Sequence, residues 1–394
     1  MQSKAKKNQA GFVSLFTVIF FVLLMTVLTV GFLRVMGVEQ QQALDNDLTA
    51  SAVAAAESGI EDGKRAILAY NSTSDVALKT ALGNAFTSTS CNALTSSATI
   101  RNALGLNVGG NAIGNNALNQ FYTCLTVNLN SPNYINQKSA GDSDYIPLVA
   151  VGNNFQRIKI SWHLISATSG KDGDGIPANY APGPLLPPVN NVNGNPFNSW
   201  SAQGYPAYLR VQLYGHPTSP NFTRADIDAR SRTMLLVPST MANAAAVDAS
   251  TPINFGTNDP RGYDQPKTAL QQVKCINTPA SNLGAYACTA LLELPTGAAF
   301  ASTANNYYLR VTPVYGQSHF EITMQNGGSA VDFNGVQPII DSTGRAADVF
   351  RRQQARVRIN AMSNLPEFVV QSANTICKNM VVSDGSFYQA NNCP

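Results

Sequence analysis

Charge is what this 394-residue sequence has least of. Its 26 Lys and Arg and 23 Asp and Glu make up 12% of the chain, about half the share of an ordinary soluble domain. Hydrophobic content is 44%, so Ser, Thr, Asn and Gly have taken the place of the missing charge. A net charge of +3 excludes the strong basic excess of a dedicated nucleic-acid binder. Ordinary hydrophobicity with low net charge also excludes a chain disordered throughout. Histidine is scarce too: His163, His216 and His319 are scattered, and no CxxC occurs, which removes the usual zinc frameworks. There is no GxSxG, HExxH, Walker motif or phosphate-binding glycine loop. The expectation is a non-enzymatic protein without a cofactor.

What charge there is falls unevenly. Lys4, Lys6 and Lys7 precede 22 uncharged residues, Phe12 to Leu33, and Arg34 ends the run. As a helix that run is about 33 Å long, enough for a hydrocarbon layer of about 30 Å. The few hydroxyls inside it (Ser14, Thr17, Thr26, Thr29) can bond back to the helix backbone. Lysines ahead of the span favour a cytoplasmic N-terminus, with the rest of the chain on the far side. The run exceeds a signal-peptide core, and no small-x-small cleavage pattern follows Leu33, so an anchor is expected.

Helical spacing continues past the span. Leu44, Leu48, Ala52, Ala55, Gly59, Gly63 and Ile67 form one stripe, with Asp45, Asp47, Glu57, Glu61, Lys64 and Arg65 opposite. Glu61 and Arg65 stand at i, i+4, a favourable pairing. No proline occurs from Phe12 to Tyr70, which predicts one unbroken helix about 88 Å long. The stripe is mostly Ala and Gly, so its packing partner must come close.

Lys4-Ala5-Lys6-Lys7-Asn8-Gln9-Ala10-Gly11-Phe12 resembles the leader of a type IV pilin or type II secretion pseudopilin, and Ala52 to Glu61 (AVAAAESGIE) is similar to a region of large minor members of that family. The resemblance covers about residues 1–70. It implies a prepilin peptidase cutting after Gly11 and methylating Phe12. It also implies partners: other pilins through the N-terminal helix, the pilus assembly platform and the membrane. Most pilins carry Glu at the fifth mature position, where this chain has Phe16. That departure, and the length, imply a minor subunit, at a tip or initiating assembly, rather than an abundant repeating one. The expected localisation is the cytoplasmic membrane, single-pass, and then a filament outside the cell.

The expected organisation is a leader (1–11), a transmembrane helix (12–33), its amphipathic continuation (34–70) and an external domain (71–394). Within that domain, residues 70–142 read as short helices and loops, and 143–394 as β-rich. Residues 170–206, rich in Gly, Pro and Asn, read as a long loop. Alternation marks strands at Arg157–Trp162, Tyr208–Tyr214, Tyr308–Thr312, Phe320–Met324 and Arg356–Ile359. The fold class is α+β: a long helix packed on an antiparallel sheet.

Six cysteines outside the cytoplasm favour disulfides, though six permit 15 connectivities. Sequential pairing is expected: Cys91 with Cys124, Cys275 with Cys288, and Cys377 with Cys393. The last, a loop closing the C-terminus, is what the pilin resemblance implies. Asp172 and Asp174, in Lys-Asp-Gly-Asp-Gly, resemble the start of a calcium loop, but the later acidic ligands are missing and a turn is the plainer reading. Arg345, Arg351, Arg352, Arg356 and Arg358 form the densest basic cluster, which would suit an anionic surface or DNA. Pairing with Asp341 and Asp348, or simple solvation, is favoured. His163 reads as a half-buried structural histidine. Asn71 and Asn221 open glycosylation sequons, common by chance in Asn-rich chains. The alternative from another class is an exported sensor or enzyme on an uncleaved anchor.

Overall fold

The structure is a computed structural model that describes residues 10–106, 108–109, 112–115, 119–152, 154–164, 205–217, 223, 229–255, 270–276, 286–295 and 305–358. Four helices, α1 (Ala10–Ser72), α2 (Val76–Thr87), α3 (Ala93–Ser96) and α4 (Ala98–Leu104), come first. Strands β1 (Val108–Gly109), β2 (Ala112–Asn115), β3 (Gln120–Ser131), β4 (Tyr134–Lys138), β5 (Asp144–Leu148) and β6 (Arg157–His163) follow. Next are β7 (Tyr208–Pro217), β8 (Ser231–Thr240), β9 (Pro252–Asn254), β10 (Leu270–Cys275) and β11 (Cys288–Glu293). The last are β12 (Asn305–Val314), β13 (Ser318–Asn326), β14 (Ser329–Val331), β15 (Phe333–Ala346) and β16 (Val349–Arg356).

Helix α1 runs unbroken for 63 residues, as the absence of proline predicts. Thr26 and Thr29 donate their hydroxyls to the carbonyls of Leu23 and Met25, so neither exposes an unpaired polar group on the apolar stretch. Asp75 caps α2, its Oδ1 accepting from the amides of Ala77 and Leu78. Ser97 caps α4, which ends at Gly105 with φ 62°, a left-handed position that glycine adopts without strain.

The chain divides into two compact units. The first comprises residues 1–129 and 338–357. Its sheet runs β1-β2-β3-β15-β16, and α1 lies on it with Ala52, Ala56, Ile60, Ala66 and Ile67 buried. Helices α2 to α4 bury Leu82, Phe86, Leu94 and Ile100 beside it.

The second unit comprises residues 130–337 and 358–394 and holds an eleven-stranded sheet. The main path is β14-β13-β6-β11-β10-β8-β7-β12-β5, with β4 on β13 and β9 on β11. β10 with β8 and β11 with β9 are parallel; the other pairs in this sheet are antiparallel. Just past β5, Val151 donates its amide to Asp332, and Val149 accepts from Asn334, at 2.9 and 2.8 Å. These bonds join the chain after β5 to the chain after β14, so the two ends of the sheet meet and it is barrel-like. Closure leaves fewer open edges. Trp162, Tyr208, Phe320 and Phe333 fill its interior, and the Trp162 indole donates to the Ala207 carbonyl at 2.8 Å.

Two expectations need correction. Strands β1 to β4 lie between Val108 and Lys138, where loop and short helix are expected from the sequence: Asn and Gly break up the apolar pattern of β1 and β2. Among the described residues the last strand is β16, ending at Arg356; Val357 and Arg358 leave it, and Ile359 lies outside the described residues. The strands against α1 include β3, β15 and β16; β15 and β16 show no clear alternation in the sequence, whereas β3 carries Leu125-Thr126-Val127-Asn128-Leu129.

Candidate functional site

Helix α1 changes surroundings along its length. From Leu15 to Val38 its large apolar side chains are all exposed, among them Phe16 (70%), Val27 (72%) and Phe32 (69%). The mean hydropathy of its most apolar stretch is 2.6, and none of that stretch is buried. It is the one helix among the described residues long and apolar enough to cross a membrane. Burying a large apolar side chain is worth about 1.5–3 kcal/mol, so this many exposed to water would cost on the order of tens of kcal/mol. Such a surface needs lipid or other protein around it.

Past Arg34 the helix stays exposed through Asp47, carrying Glu39, Asp45 and Asp47. Docking begins at Leu48 and Thr49 and is close. A β-carbon on Gly59 would stand 2.2 Å from Ser342 Oγ, and one on Gly63 2.7 Å from Ile340 Cγ2. One on Gly344 of β15 would stand 2.0 Å from the Ala52 carbonyl oxygen. Glycine on both partners lets helix and strand backbones approach where any side chain would hold them apart. The Ala and Gly stripe of the sequence therefore meets a strand that is small-faced at the same places.

The docked half also carries a buried polar tie. Asp62, 4% exposed, accepts from the Tyr122 hydroxyl at 2.9 Å and pairs with Arg65, which donates on to the Leu104 carbonyl at 3.3 Å. Glu61 pairs with Lys64 at 2.6 Å instead of the expected Arg65, because Asp62 takes the guanidinium inward. In the second unit Asp144, 1% exposed, accepts from the Tyr134 hydroxyl at 2.8 Å and the Asn136 amide at 2.6 Å and forms an ion pair with Arg358 at 2.7 Å.

Burial raises the Tyr122 hydroxyl far above its ordinary value near 10, with Arg65 opposing. Burial first, then the Asp144 charge, does the same to Tyr134. A raised folded-state value means that this contribution to stability is complete below the unfolded value of about 10 and is lost as pH rises beyond it. An ultraviolet titration of phenolate is therefore expected to leave at least two of the 14 tyrosines un-ionised until the protein unfolds in alkali. Full titration before loss of structure would contradict these environments.

The residues singled out in the sequence are placed as follows. Gly11 and Phe12 lie in the first turns of α1, with side chains outside the described set. Phe16 is on the exposed apolar stretch. Cys91 is bonded to Cys124 in the first unit, and Cys275 to Cys288 across paired β10 and β11 in the second. Cys377, Cys393, Asp172, Asp174 and the 170–204 part of the Gly/Pro/Asn segment lie outside the described residues. The arginine cluster is largely spoken for: Arg352 pairs with Asp341, Arg345 with Asp348, and Arg358 with Asp144, while Arg351 donates to Thr49. Arg345 also lies between the rings of Phe121 and Phe350, 5.5 and 5.4 Å from their centroids. His163 is 8% exposed, more buried than expected. Sequence reading missed Gly344 and Ser342, whose only signal is a small residue where a strand face should be apolar.

No protein-family model matches this chain, nor does any curated protein or solved structure. What the geometry defines is a single apolar helix with an exposed half and a half clamped on a small-faced sheet, continued by a barrel-like β unit.

Proposed function

We propose that this chain is a non-enzymatic subunit of a type IV pilus or pilus-like filament, a minor pilin placed at the tip. The observation that carries the reading is helix α1: from Leu15 to Leu33 it is exposed and uncharged, and from Leu48 onward it is docked. A helix of this kind can lie in lipid before assembly and among like helices afterwards, so its apolar residues never face water. The leader-like Lys4-to-Gly11 segment and Phe12 supply the processing junction. Cleavage after Gly11 by prepilin peptidase removes three lysines and leaves 23 basic against 23 acidic residues, so the mature chain is neutral. The scant positive charge is then a membrane address and not a binding surface.

Phe16 in place of the usual acid argues against a repeating role, since no carboxylate is there to meet a neighbour's terminal amine. The assembly platform and other pilins would contact α1, and the β units would face outward toward a surface ligand. Immunogold labelling of sheared filaments tests this placement. Label confined to one end is expected; label along the whole length would make the chain an abundant repeating pilin, and its absence from the filament fraction would remove the filament reading.

A further inference from the structure

His163 closes β6 and His319 is the second residue of β13, and the antiparallel register sets the two directly opposite each other. Side chains opposite each other on neighbouring strands share one face of the sheet. Their imidazole centroids are 5.0 Å apart with planes 24° from parallel. Tyr286, two residues before β11, stands 5.3 Å from the His163 ring and 5.8 Å from that of His319. Two of the three histidines in a charge-poor chain therefore sit side by side.

We propose that His163 and His319 form a two-imidazole site for a borderline divalent transition cation, of the Zn²⁺, Ni²⁺ or Cu²⁺ class. With metal–nitrogen bonds of about 2.0–2.1 Å, two imidazoles bound to one ion have centroids roughly 4.5 Å apart at a right-angled bite and roughly 5.2 Å at a tetrahedral one. The observed 5.0 Å falls between the two, so the backbone already holds the rings at chelating separation and only ring rotation is needed to aim one nitrogen of each at a common point. Imidazole selects these ions over Mg²⁺ and Ca²⁺, which prefer oxygen. Glu321 lies two residues along β13 on the same face, where it accepts from Asn133, and Lys159 lies four residues back along β6. Opposite His319 on β4 is the neutral Gln137. The Tyr286 ring lies beside both imidazoles. Among the described residues no group of three or more His, Cys, Asp or Glu could hold a metal, so water would complete the coordination and binding would be moderate. Because each ligand must be neutral, protons compete with the metal below the usual imidazole value of about 6.5.

The test is isothermal titration of the full-length protein in detergent with Ni²⁺, Zn²⁺ and Mg²⁺ at pH 7.5 and pH 5.5. One equivalent of Ni²⁺ or Zn²⁺ is expected to bind at pH 7.5, at least tenfold more weakly at pH 5.5, with no Mg²⁺ binding. His319→Gln, at the less buried partner, should weaken binding at least tenfold while leaving the circular dichroism spectrum and melting temperature in the absence of metal unchanged within a few degrees. His216→Gln should bind as the parent does. No binding by the parent, or equal binding by His319→Gln and the parent, overturns the proposal; should His319→Gln fail to fold, loss of the imidazole C–H resonances of His163 and His319 on adding Cu²⁺ decides it, and their persistence refutes it.

Discussion

Replacing Gly344 by alanine is expected to destabilise the first unit by about 3 kcal/mol or more, at the upper end of what overpacking costs. The added methyl would meet the Ala52 carbonyl oxygen at 2.0 Å, the Ala56 nitrogen at 2.3 Å and the Ala55 carbonyl carbon at 3.0 Å. All three are backbone atoms of α1, so no side chain can swing aside. Either β15 or the helix must retreat, and Gly59 and Gly63 lose their close seats on the same strand with it. Because domains are stable by only about 5–15 kcal/mol, such a loss should show as a large fall in the urea midpoint. It should also expose the 48–72 part of α1 to trypsin at Lys64 and Arg65. Gly83, inside α2, makes the contrast: a methyl there would stand 3.6 Å from the Tyr70 ring, an ordinary contact. Gly83→Ala is expected to stabilise by about 0.5–1 kcal/mol, since only the helix-propensity term changes. Equal effects at the two glycines would contradict the close docking of α1.

In the second unit, Arg358→Gln is expected to cost about 3 kcal/mol, because removing one partner of a buried ion pair strands the other charge. The stranded group is the Asp144 carboxylate, 1% exposed and left with only the Tyr134 hydroxyl and the Asn136 amide. Arg358 itself is 30% exposed, so its own charge stays partly hydrated when Asp144 is the residue changed. Asp144→Asn should therefore cost less than Arg358→Gln. The double variant should fall short of the sum of the two, as for residues sharing one network. Strict additivity in chemical denaturation would show that the pair is not coupled.

How much of this was legible in the sequence depended on how each element keeps its apolar residues. Helix α1 was readable because nothing interrupts it: no proline from Phe12 to Tyr70, and an uncharged run whose ends are marked by Lys7 and Arg34. Strands β6, β7, β12 and β13 were readable because each alternates bulky apolar with polar residues, as in Arg157-Ile158-Lys159-Ile160. β15 was not. Its helix-facing positions include Ser342 and Gly344, residues chosen for closeness to α1, so the strand loses the apolar alternation by which strands are recognised. The same tight approach that makes the Ala and Gly stripe of α1 conspicuous makes its partner invisible. Long range hid the rest: Thr123 donates to the Thr343 carbonyl 220 residues away, and the joining of His163 with His319 exists only in the register of two strands far apart in sequence. The sequential cysteine pairs at 33 and 13 residues were the simplest of 15 arrangements and needed no fold to write down.

The low charge of the chain has two physical sources. One is the helix segment with none, whose exposed apolar surface requires a non-aqueous neighbour. The other is an exterior rich in Asn, Ser and Thr, on which several of the remaining charges are paired, as Arg352 with Asp341 and Lys274 with Asp248 show. The surplus positive charge lies at the N-terminus, in Lys4, Lys6 and Lys7.

Mass spectrometry of the N-terminal peptide of protein taken from cells is the most direct measurement. A mature chain beginning at N-methylated Phe12 is predicted; an intact Met1, or a cut beyond Leu33, would contradict the pilin reading.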